Sequence, residues 1–160
     1  MDLNVIDNFL PENHFLKIES NFMGHLFPWF YSDTVTYHDN AYQFTHTLFD
    51  EHQLNSDYFP LMYPILNKLN VMSLVRIKAN CIPKTNVIEK HGYHTDAKNC
   101  KTALLYINDN NGSTEFENGK TILSKRNRLV EFNSNLKHRG TTCTDQNIRV
   151  NINFNYFKHS

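Results

Sequence analysis

Hydrophobic and polar residues alternate along several stretches of the second half of the chain. Successive side chains of a β-strand point to opposite faces of a sheet, so this alternation indicates strands with one buried face. The pattern predicts strands over residues 74–80, 102–108, 129–133 and 149–156. A run of turn-forming residues, Asn108–Gly112, predicts a hairpin turn between two of them. From Met72 onward the chain is therefore expected to be β.

The first part of the chain shows helical spacing instead. Phe15, Ile18 and Phe22 recur at intervals of three or four residues and predict one helix. Apolar residues between Leu61 and Leu69 predict a second helix. Both helices are expected to pack against a sheet.

Composition sets the size and general class of the protein. The chain has 160 residues, 40% of them hydrophobic, which suits one compact core. Its 16 basic and 16 acidic side chains give no net charge, which argues against a purely electrostatic binder of nucleic acid or membrane surfaces. Its three cysteines lack the spacing of a disulfide framework or a thiolate zinc site. We predict a single domain with mainly helical support over residues 1–71 and a β-barrel core over residues 72–160.

The sequence contains no run of about 18 consecutive apolar residues, the length that predicts a membrane-spanning helix. Its first ten residues carry Asp2 and Asp7, where a signal peptide would carry Lys or Arg. We expect a cytoplasmic protein with no membrane partner, and a monomer.

Two predicted strands each have a polar face and an apolar face. The polar face of the last strand consists of Arg149, Asn151, Asn153 and Asn155. The polar face of the strand over 74–80 consists of Arg76, Lys78 and Asn80. In an open sheet such faces would meet solvent, but their repetition favours a barrel or sandwich that encloses a polar pocket.

A candidate metal site follows the first of these strands. His94 and Asp96 are two residues apart, so on a strand their side chains point the same way and can share one cation. Such a pair arises easily by chance, and the prediction therefore depends on a third ligand. His138, in a predicted loop between strands, is the candidate for it. His91 is a rival ligand, but no carboxylate stands two residues after it.

Two histidines and one carboxylate leave three positions open on an octahedral metal, the arrangement suited to non-haem Fe(II). Arg149 begins the last strand on its polar face. A guanidinium is planar, permanently charged and able to hold a carboxylate through two parallel hydrogen bonds. That group matches a dicarboxylate co-substrate that chelates the metal at its other end.

The sequence resembles the Fe(II)/2-oxoglutarate-dependent dioxygenases of the prolyl 4-hydroxylase-like group, especially the short forms encoded by marine phages and bacteria. The resemblance lies in the order of His94-x-Asp96, Tyr106, Asn111–Phe116, His138 and Arg149. It extends to residues 6–11 and to the last strand, and so covers most of the chain. Related hydroxylases have glycine where this chain has Asn111, but asparagine tolerates the same left-handed backbone.

The resemblance implies a fold and a set of site residues. The fold is a mainly β double-stranded β-helix, a jelly-roll or cupin-like barrel, with the N-terminal helices packed on one sheet. The implied metal ligands are His94, Asp96 and His138. The residues implied to bind 2-oxoglutarate are Arg149 and Tyr106, which would hold its distal carboxylate, with Asn80 and Asn153 as further candidates. No catalytic role is assigned beyond the metal ligands.

The resemblance also implies hydroxylation of a C–H bond with Fe(II), 2-oxoglutarate and O2, and ascorbate as an optional addition. The favoured substrate is a protein or peptidyl side chain of the prolyl kind. A free amino acid, a small metabolite or a nucleobase is the alternative. Nucleobase repair enzymes usually carry a second Arg on the strand of the co-substrate Arg, and here residues 149–157 contain one. We therefore do not expect nucleic acid as a partner.

Two readings from other classes remain open. One is a non-catalytic, cupin-like metal-binding module, and the other is a zinc-dependent hydrolase with the same ligands. Arg149 distinguishes them from a dioxygenase, since a hydrolase needs a general base beside the metal rather than a clamp for a dicarboxylate.

Overall fold

The computed structural model describes residues 3–37 and 39–160. Its helical elements, within those residues, are α1 (Glu12–Phe22), a 3-10 helix (Phe59–Met62) and α2 (Tyr63–Lys68). Its strands are β1 (Asn4–Ile6), β2 (Phe30–Ser32), β3 (Gln43–Asp50), β4 (Gln53–Leu54), β5 (Val71–Pro83), β6 (Lys101–Tyr106), β7 (Ser113–Phe116), β8 (Thr121–Leu123), β9 (Arg128–Asn133), β10 (His138–Gly140) and β11 (Ile148–Lys158). No helix in this part of the chain is long and apolar enough to cross a membrane.

The strands form two antiparallel sheets that face each other. The larger sheet has the order β1-β9-β6-β11-β5-β3-β2, with β4 paired to β3, and the smaller has the order β10-β7-β8. Leu104 and Phe132 of the larger sheet pack with Phe116 of the smaller one in a buried apolar cluster. This cluster fills one part of the space between the sheets and leaves the rest for polar side chains.

The helices cover the opposite face of the larger sheet. Phe15, Ile18 and Phe22 of α1 are buried, as their spacing predicts. They belong to the main core cluster, together with strand residues such as Ile77 and Phe154. Burial of apolar side chains is the main force that holds a helix on a sheet. The predicted packing of helices on one sheet is confirmed.

The second predicted helix is divided into two short helices. The 3-10 helix ends at Met62, and α2 begins at Tyr63. Pro64 is the second residue of α2 and explains the break. Because proline lacks a backbone N–H, it is tolerated in the first turn of a helix but not in its interior.

The part of the chain before β5 contains four strands that the sequence did not predict, beside the predicted helices. β3 is the longest of them and pairs with β5 in the larger sheet. Gln43 and His46 of β3 are buried. Because polar residues occupy buried positions in this strand, its apolar alternation is broken and the sequence pattern does not reveal it.

Two further predictions are corrected by the connections between strands. The turn Asn108–Gly112 leads from β6 in the larger sheet to β7 in the smaller one, so it joins two unpaired strands and is not a hairpin. His138 was predicted in a loop, but it is the first residue of β10 and pairs with Phe116 of β7. The turn residues thus mark a change of sheet, which local sequence cannot distinguish from a hairpin.

The two predicted polar faces form one surface. β11 lies between β5 and β6, and its register places Asn151 opposite Asn80 and Asn153 opposite Lys78. Directly opposed residues of paired strands have their side chains on the same face. The polar surface therefore runs across β5 and β11 and faces the smaller sheet.

Candidate active site

Three predicted metal ligands meet between the two sheets. His94, Asp96 and His138 each offer one ligand atom, and these atoms lie within 4.8 Å of one another. The two histidine backbones hold each other through paired hydrogen bonds, with N···O distances of 2.9 and 3.0 Å. This bridge fixes His94, which lies outside the regular strands, against the first residue of β10. Residues 44 positions apart in the chain are thereby brought together.

The imidazole rings are oriented with Nε2 toward the carboxylate. His94 Nδ1 lies 3.1 Å from the Gly92 carbonyl oxygen, and His138 Nδ1 lies 3.3 Å from that of Leu136. A carbonyl oxygen only accepts hydrogen bonds, so each Nδ1 carries a proton, and each Nε2 is the atom that faces Asp96 and that a metal ion would bind. Backbone partners of this kind fix metal-binding histidines in the required tautomer.

Asp96 is held as a carboxylate at the centre of the cluster. Its two oxygens lie 3.4 Å from His94 Nε2 and 3.5 Å from His138 Nε2. Asn153 donates a hydrogen bond of 2.6 Å to it from Nδ2, and an Arg76 nitrogen lies 3.4 Å away. Burial alone would raise the pKa of Asp96, but its hydrogen bonds with His138 and His94 hold that pKa well below the ordinary value. The group is therefore anionic and ready to bind a cation.

The cluster opens into a polar cavity of about 320 Å³ between the sheets. Its polar lining includes Arg76, Lys78, Asn80, Thr114, Arg149 and Asn151. A small-molecule site is typically a cleft of this kind with a few convergent polar groups. The predicted polar pocket is present, and the three candidate metal ligands lie in its wall.

Arg149 is the most deeply buried charge in this cavity, with 1% of its surface exposed. Its Nε donates to Ser124 Oγ at 2.9 Å, and its NH2 group donates to the Ser113 carbonyl oxygen and to Thr114 Oγ1, both at 3.2 Å. All these partners are neutral, and no carboxylate of the described residues forms an ion pair with it. Burial lowers the pKa of Arg149, but a guanidinium stays protonated in proteins. The guanidinium is thus a buried cation without a counter-ion.

Two glycines make room for this guanidinium. A Cβ atom on Gly112 would lie 2.6 Å from Arg149 Cδ, and one on Gly140 would lie 3.4 Å from its NH1. The first distance is shorter than any real carbon contact, so only glycine fits at position 112 while Arg149 keeps its place. The Asn111-Gly112 pair that carries part of the family resemblance has this steric role.

Tyr106 and Thr114 complete the surroundings of Arg149. The Tyr106 hydroxyl donates to Thr114 Oγ1 at 2.8 Å, and its ring lies 5.7 Å from the guanidinium carbon. Burial raises the pKa of Tyr106, so its hydroxyl stays protonated and remains a donor. Since Thr114 Oγ1 accepts from both Tyr106 and Arg149, its own proton is directed elsewhere. Thr114 lines the cavity and was missed by the sequence analysis, which had no signal to separate it from other threonines.

The two asparagines predicted near the co-substrate take different positions. Asn80 lines the cavity and donates to Asn151 Oδ1 at 3.1 Å. Asn153 contacts the metal ligand Asp96, so the structure places it at the metal end of the cavity rather than beside Arg149. Its buried Oδ1 has no hydrogen-bond partner among the described residues. The register of β11, which sequence alone does not supply, decides this difference.

His91, the rival ligand, lies in the same cavity but outside the metal group. Its ring is buried, and Nε2 has no hydrogen-bond partner in the described part of the chain. Burial lowers its pKa, so the ring is neutral at pH 7. His91 is therefore a polar wall of the cavity rather than a ligand of the cluster.

Several solved structures are similar to this chain. An oxidoreductase of the 2OG-Fe(II) oxygenase family from Burkholderia pseudomallei matches with a TM-score of 0.72 and 12% identity over 99% of this chain and 86% of its own. A prolyl hydroxylase from Trichoplax adhaerens, in complex with a hypoxia inducible factor oxygen degradation domain peptide fragment, matches with a TM-score of 0.61 and 17% identity over 98% and 83%. The non-heme alpha ketoglutarate dependent epimerase SnoN of nogalamycin biosynthesis matches with a TM-score of 0.69 and 10% identity over 98% and 78%. No protein-family model matches the sequence, and none of the curated proteins does.

The chain has the fold of the 2OG-Fe(II) oxygenases. The predicted double-stranded β-helix, with helices packed on one sheet, is confirmed by these similarities and by the two facing sheets. At such low identities the likeness establishes the fold, and the reaction has to be argued from the site. The epimerase among these structures shows that the fold carries more than one reaction.

Proposed function

We propose that this protein is an Fe(II)- and 2-oxoglutarate-dependent dioxygenase that hydroxylates a C–H bond of its substrate. One observation carries the proposal: an uncompensated buried guanidinium, Arg149, shares a cavity with three convergent metal ligands. An isolated buried charge is costly unless a partner compensates it. A dicarboxylate that reaches from the metal to Arg149 supplies that partner.

The ligand set fits Fe(II). His94, Asp96 and His138 would hold the ion through two imidazole nitrogens and one carboxylate oxygen, which leaves positions for a bidentate co-substrate and oxygen. Bound Fe(II) supplies the activation of O2 that the oxidation of 2-oxoglutarate and of the substrate requires. Asn153 and the Gly92 and Leu136 carbonyl groups keep the ligands in their orientation.

The co-substrate would be held at its distal end by Arg149 and Thr114. The guanidinium provides the charge, and the Thr114 hydroxyl provides a proton that its two donors, Tyr106 and Arg149, leave free. Tyr106 thus supports the site through Thr114 rather than by direct contact with the cavity. Because these groups are buried, water competes little for the carboxylate, and the ionic contact is stronger than at a surface.

For the substrate, we propose a protein or peptidyl side chain of the prolyl kind. The Trichoplax adhaerens prolyl hydroxylase, which shares the fold, is in complex with a peptide fragment, and this supports a peptide substrate. A free amino acid or small metabolite is the alternative for a cavity of this size. The proposal covers residues 1–160 as one domain that acts as a monomer.

Visible absorption tests the proposed function. Without oxygen, Fe(II) and 2-oxoglutarate together should give the weak charge-transfer band of a chelate, and His94→Ala should abolish it. His14→Ala, an exposed position on α1, is the matched control and should keep the band. A protein that is active with zinc and indifferent to 2-oxoglutarate would contradict the proposal.

A further inference from the structure

Two cations, Arg76 and Lys78, lie at the metal end of the cavity and have at most one ion-pair partner among the described residues. Arg76 and Lys78 lie on the polar face of β5 and line the cavity. Both are half-buried. Neither belongs to the metal cluster, and neither contacts Arg149 through any hydrogen bond of the structure. They extend the cavity beyond the metal ligands.

The local contacts leave most of their donors unused. Arg76 has one ion pair, with Asp96 at 3.4 Å, and its buried Nε has no hydrogen-bond partner among the described residues. Lys78 makes no hydrogen bond or ion pair within the described part of the chain. Burial and then the charge of Arg76 lower the pKa of Lys78, and Asp96 and Asp50 oppose this only from beyond ion-pair distance. Asp96 is also the proposed ligand of the metal. It therefore cannot neutralise both cations as well.

The strand register places these cations far from Arg149. Arg149 is opposite Ile82 on β5, whereas Lys78 and Arg76 stand four and six residues further along that strand. At about 3.3 Å per residue, the Cα separations along the strand are about 13 Å and 20 Å. The Asp96 cluster lies near Lys78 and Arg76, because Asn153, the partner of Lys78 in the register, binds Asp96. A co-substrate held between Arg149 and the metal would therefore not contact Arg76 or Lys78.

The charge balance of the cavity favours an anion. Its lining contains three cations, Arg76, Lys78 and Arg149, and one carboxylate, Asp96. The surplus is therefore two positive charges. The charges of Fe(II) and 2-oxoglutarate are equal and opposite, so the surplus of two positive charges remains when both are bound. Charges in a cavity with low-dielectric walls act strongly on an incoming ligand.

We propose that the primary substrate carries an oxyanionic group, a carboxylate or a phosphate, that Arg76 and Lys78 bind beside the metal. The inference rests on the proposed function, since it takes Arg149 as the site of the co-substrate. It narrows the substrate to acidic molecules: a small acid, or a peptide with an acidic group next to the oxidised position. Neutral prolyl peptides are expected to be poor ligands.

Anion binding tests this inference without turnover. The protein is loaded with Zn(II) in place of Fe(II) and saturated with 2-oxoglutarate, so that Arg149 and the metal are occupied. Acetate, inorganic phosphate and acetamide, the neutral counterpart of acetate, are then titrated while the side-chain nitrogen signals of lysine and arginine are followed by NMR. Acetate or phosphate should bind saturably and shift the signals of Lys78 and Arg76, and acetamide should not. The stronger of the two anions identifies the group that the substrate carries.

Substitutions of Lys78 sharpen the test. Lys78→Gln should weaken anion binding about tenfold or more, and Lys78→Arg should restore most of it. Lys84→Gln, an exposed position on the loop after β5, is the matched control and should leave anion binding unchanged. Equal binding of acetate and acetamide, no saturable binding of either anion, or the same anion affinity in Lys78→Gln would overturn the inference. A wild-type protein that fails to bind 2-oxoglutarate would instead refute the proposed function.

Discussion

At the scale of single residues, the site depends on charges that the chain itself leaves unbalanced. Arg149 has only neutral partners, and its burial would be unfavourable in a protein that had no anionic ligand. Asp96 differs, since two imidazoles, an amide and the Arg76 guanidinium surround it. One end of the cavity is therefore suited to an anion and its centre to a metal ion.

The role of Arg149 can be measured directly. Arg149→Ala should weaken 2-oxoglutarate binding by about 2–5 kcal/mol, the range for truncating one partner of a buried charge pair. This corresponds to a loss of affinity of about 30-fold or more. The 2-oxoglutarate affinity of Arg149→Lys should lie between that of Arg149→Ala and that of the wild type, because an ammonium keeps the charge but cannot form two parallel hydrogen bonds. Calorimetric titration of the Mn(II)-loaded protein provides the affinity.

Metal binding serves as the control for this substitution. Both variants should bind Mn(II) as the wild type does, since Arg149 does not contact any of the three ligands. If metal and 2-oxoglutarate affinities fell together, the substitution would have disturbed the fold, and the assignment of Arg149 to the co-substrate would lose its support.

At the scale of elements, the connections between the two sheets shape the end of the cavity that contains Arg149. The turn after β6 crosses to β7 and brings Gly112 against the Arg149 side chain. Two neighbouring segments also hold this turn: the Gly112 carbonyl accepts from the backbone N–H of Ser124, directly after β8, and Asn111 exchanges hydrogen bonds with Thr144 in the segment before β11. The turn is therefore a rigid support for the guanidinium.

Gly112→Ala tests this support. The new Cβ would lie 2.6 Å from Arg149 Cδ and 2.8 Å from the Thr142 carbonyl oxygen, so the guanidinium or the turn must shift. We expect 2-oxoglutarate affinity to fall roughly tenfold, which is about 1.4 kcal/mol. The same titration of the Mn(II)-loaded protein measures it.

Gly119→Ala is the matched control for the loss of a glycine. A Cβ there meets nothing within 4 Å, but φ is +87°, a region that alanine rarely adopts. This variant should unfold at a lower temperature and keep the 2-oxoglutarate affinity of the wild type. An unchanged affinity in Gly112→Ala would mean that the guanidinium position does not depend on the turn.

At the scale of the whole molecule, the larger sheet separates a structural side from a chemical side. The main core cluster and both helices lie on one face, and the polar surface of β5 and β11 lies on the other. Ile152 and Phe154 of β11 point into the core, while Asn151 and Asn153 point into the cavity. Because its apolar and polar residues alternate, β11 contributes to the hydrophobic core on one face and to the cavity on the other.

This separation predicts that stability and metal binding can be changed independently. Phe15→Ala removes a fully buried ring from α1 and should reduce the free energy of unfolding by about 3–5 kcal/mol. Zn(II) should still raise the unfolding temperature of this variant, by an amount similar to that in the wild type, because a ligand of the native state stabilises it. Thermal unfolding with and without Zn(II) makes the comparison.

His138→Ala is the reverse case. It should remove most of the stabilisation by Zn(II) and change the unfolding temperature of the metal-free protein less than Phe15→Ala does. Loss of the zinc effect in Phe15→Ala, with the variant still folded, would show that the helices take part in forming the metal site.

Local sequence determined four strands of the second half (β5, β6, β9 and β11), the first helix and the three converging candidate ligands. Periods of 2 and 3.6 residues belong to short segments, and the spacing of His94 and Asp96 is itself local. The presence of Arg149 on a polar strand face could be inferred in the same way. The order of these motifs then pointed to a known family and to its fold.

Only the tertiary structure decided how these elements are combined. β3 escaped prediction because Gln43 and His46 occupy buried positions, and the turn at Asn108–Gly112 proved to cross between sheets. The contact of Asn153 with Asp96 depends on pairing between residues 57 positions apart. The unpartnered Nε of Arg76 and the unpaired charge of Lys78 among the described residues also depend on the tertiary structure, since burial and the distance to a counter-ion are properties of the folded chain. Register, burial and long-range pairing are not encoded in any short segment, and the substrate end of the cavity is built from them.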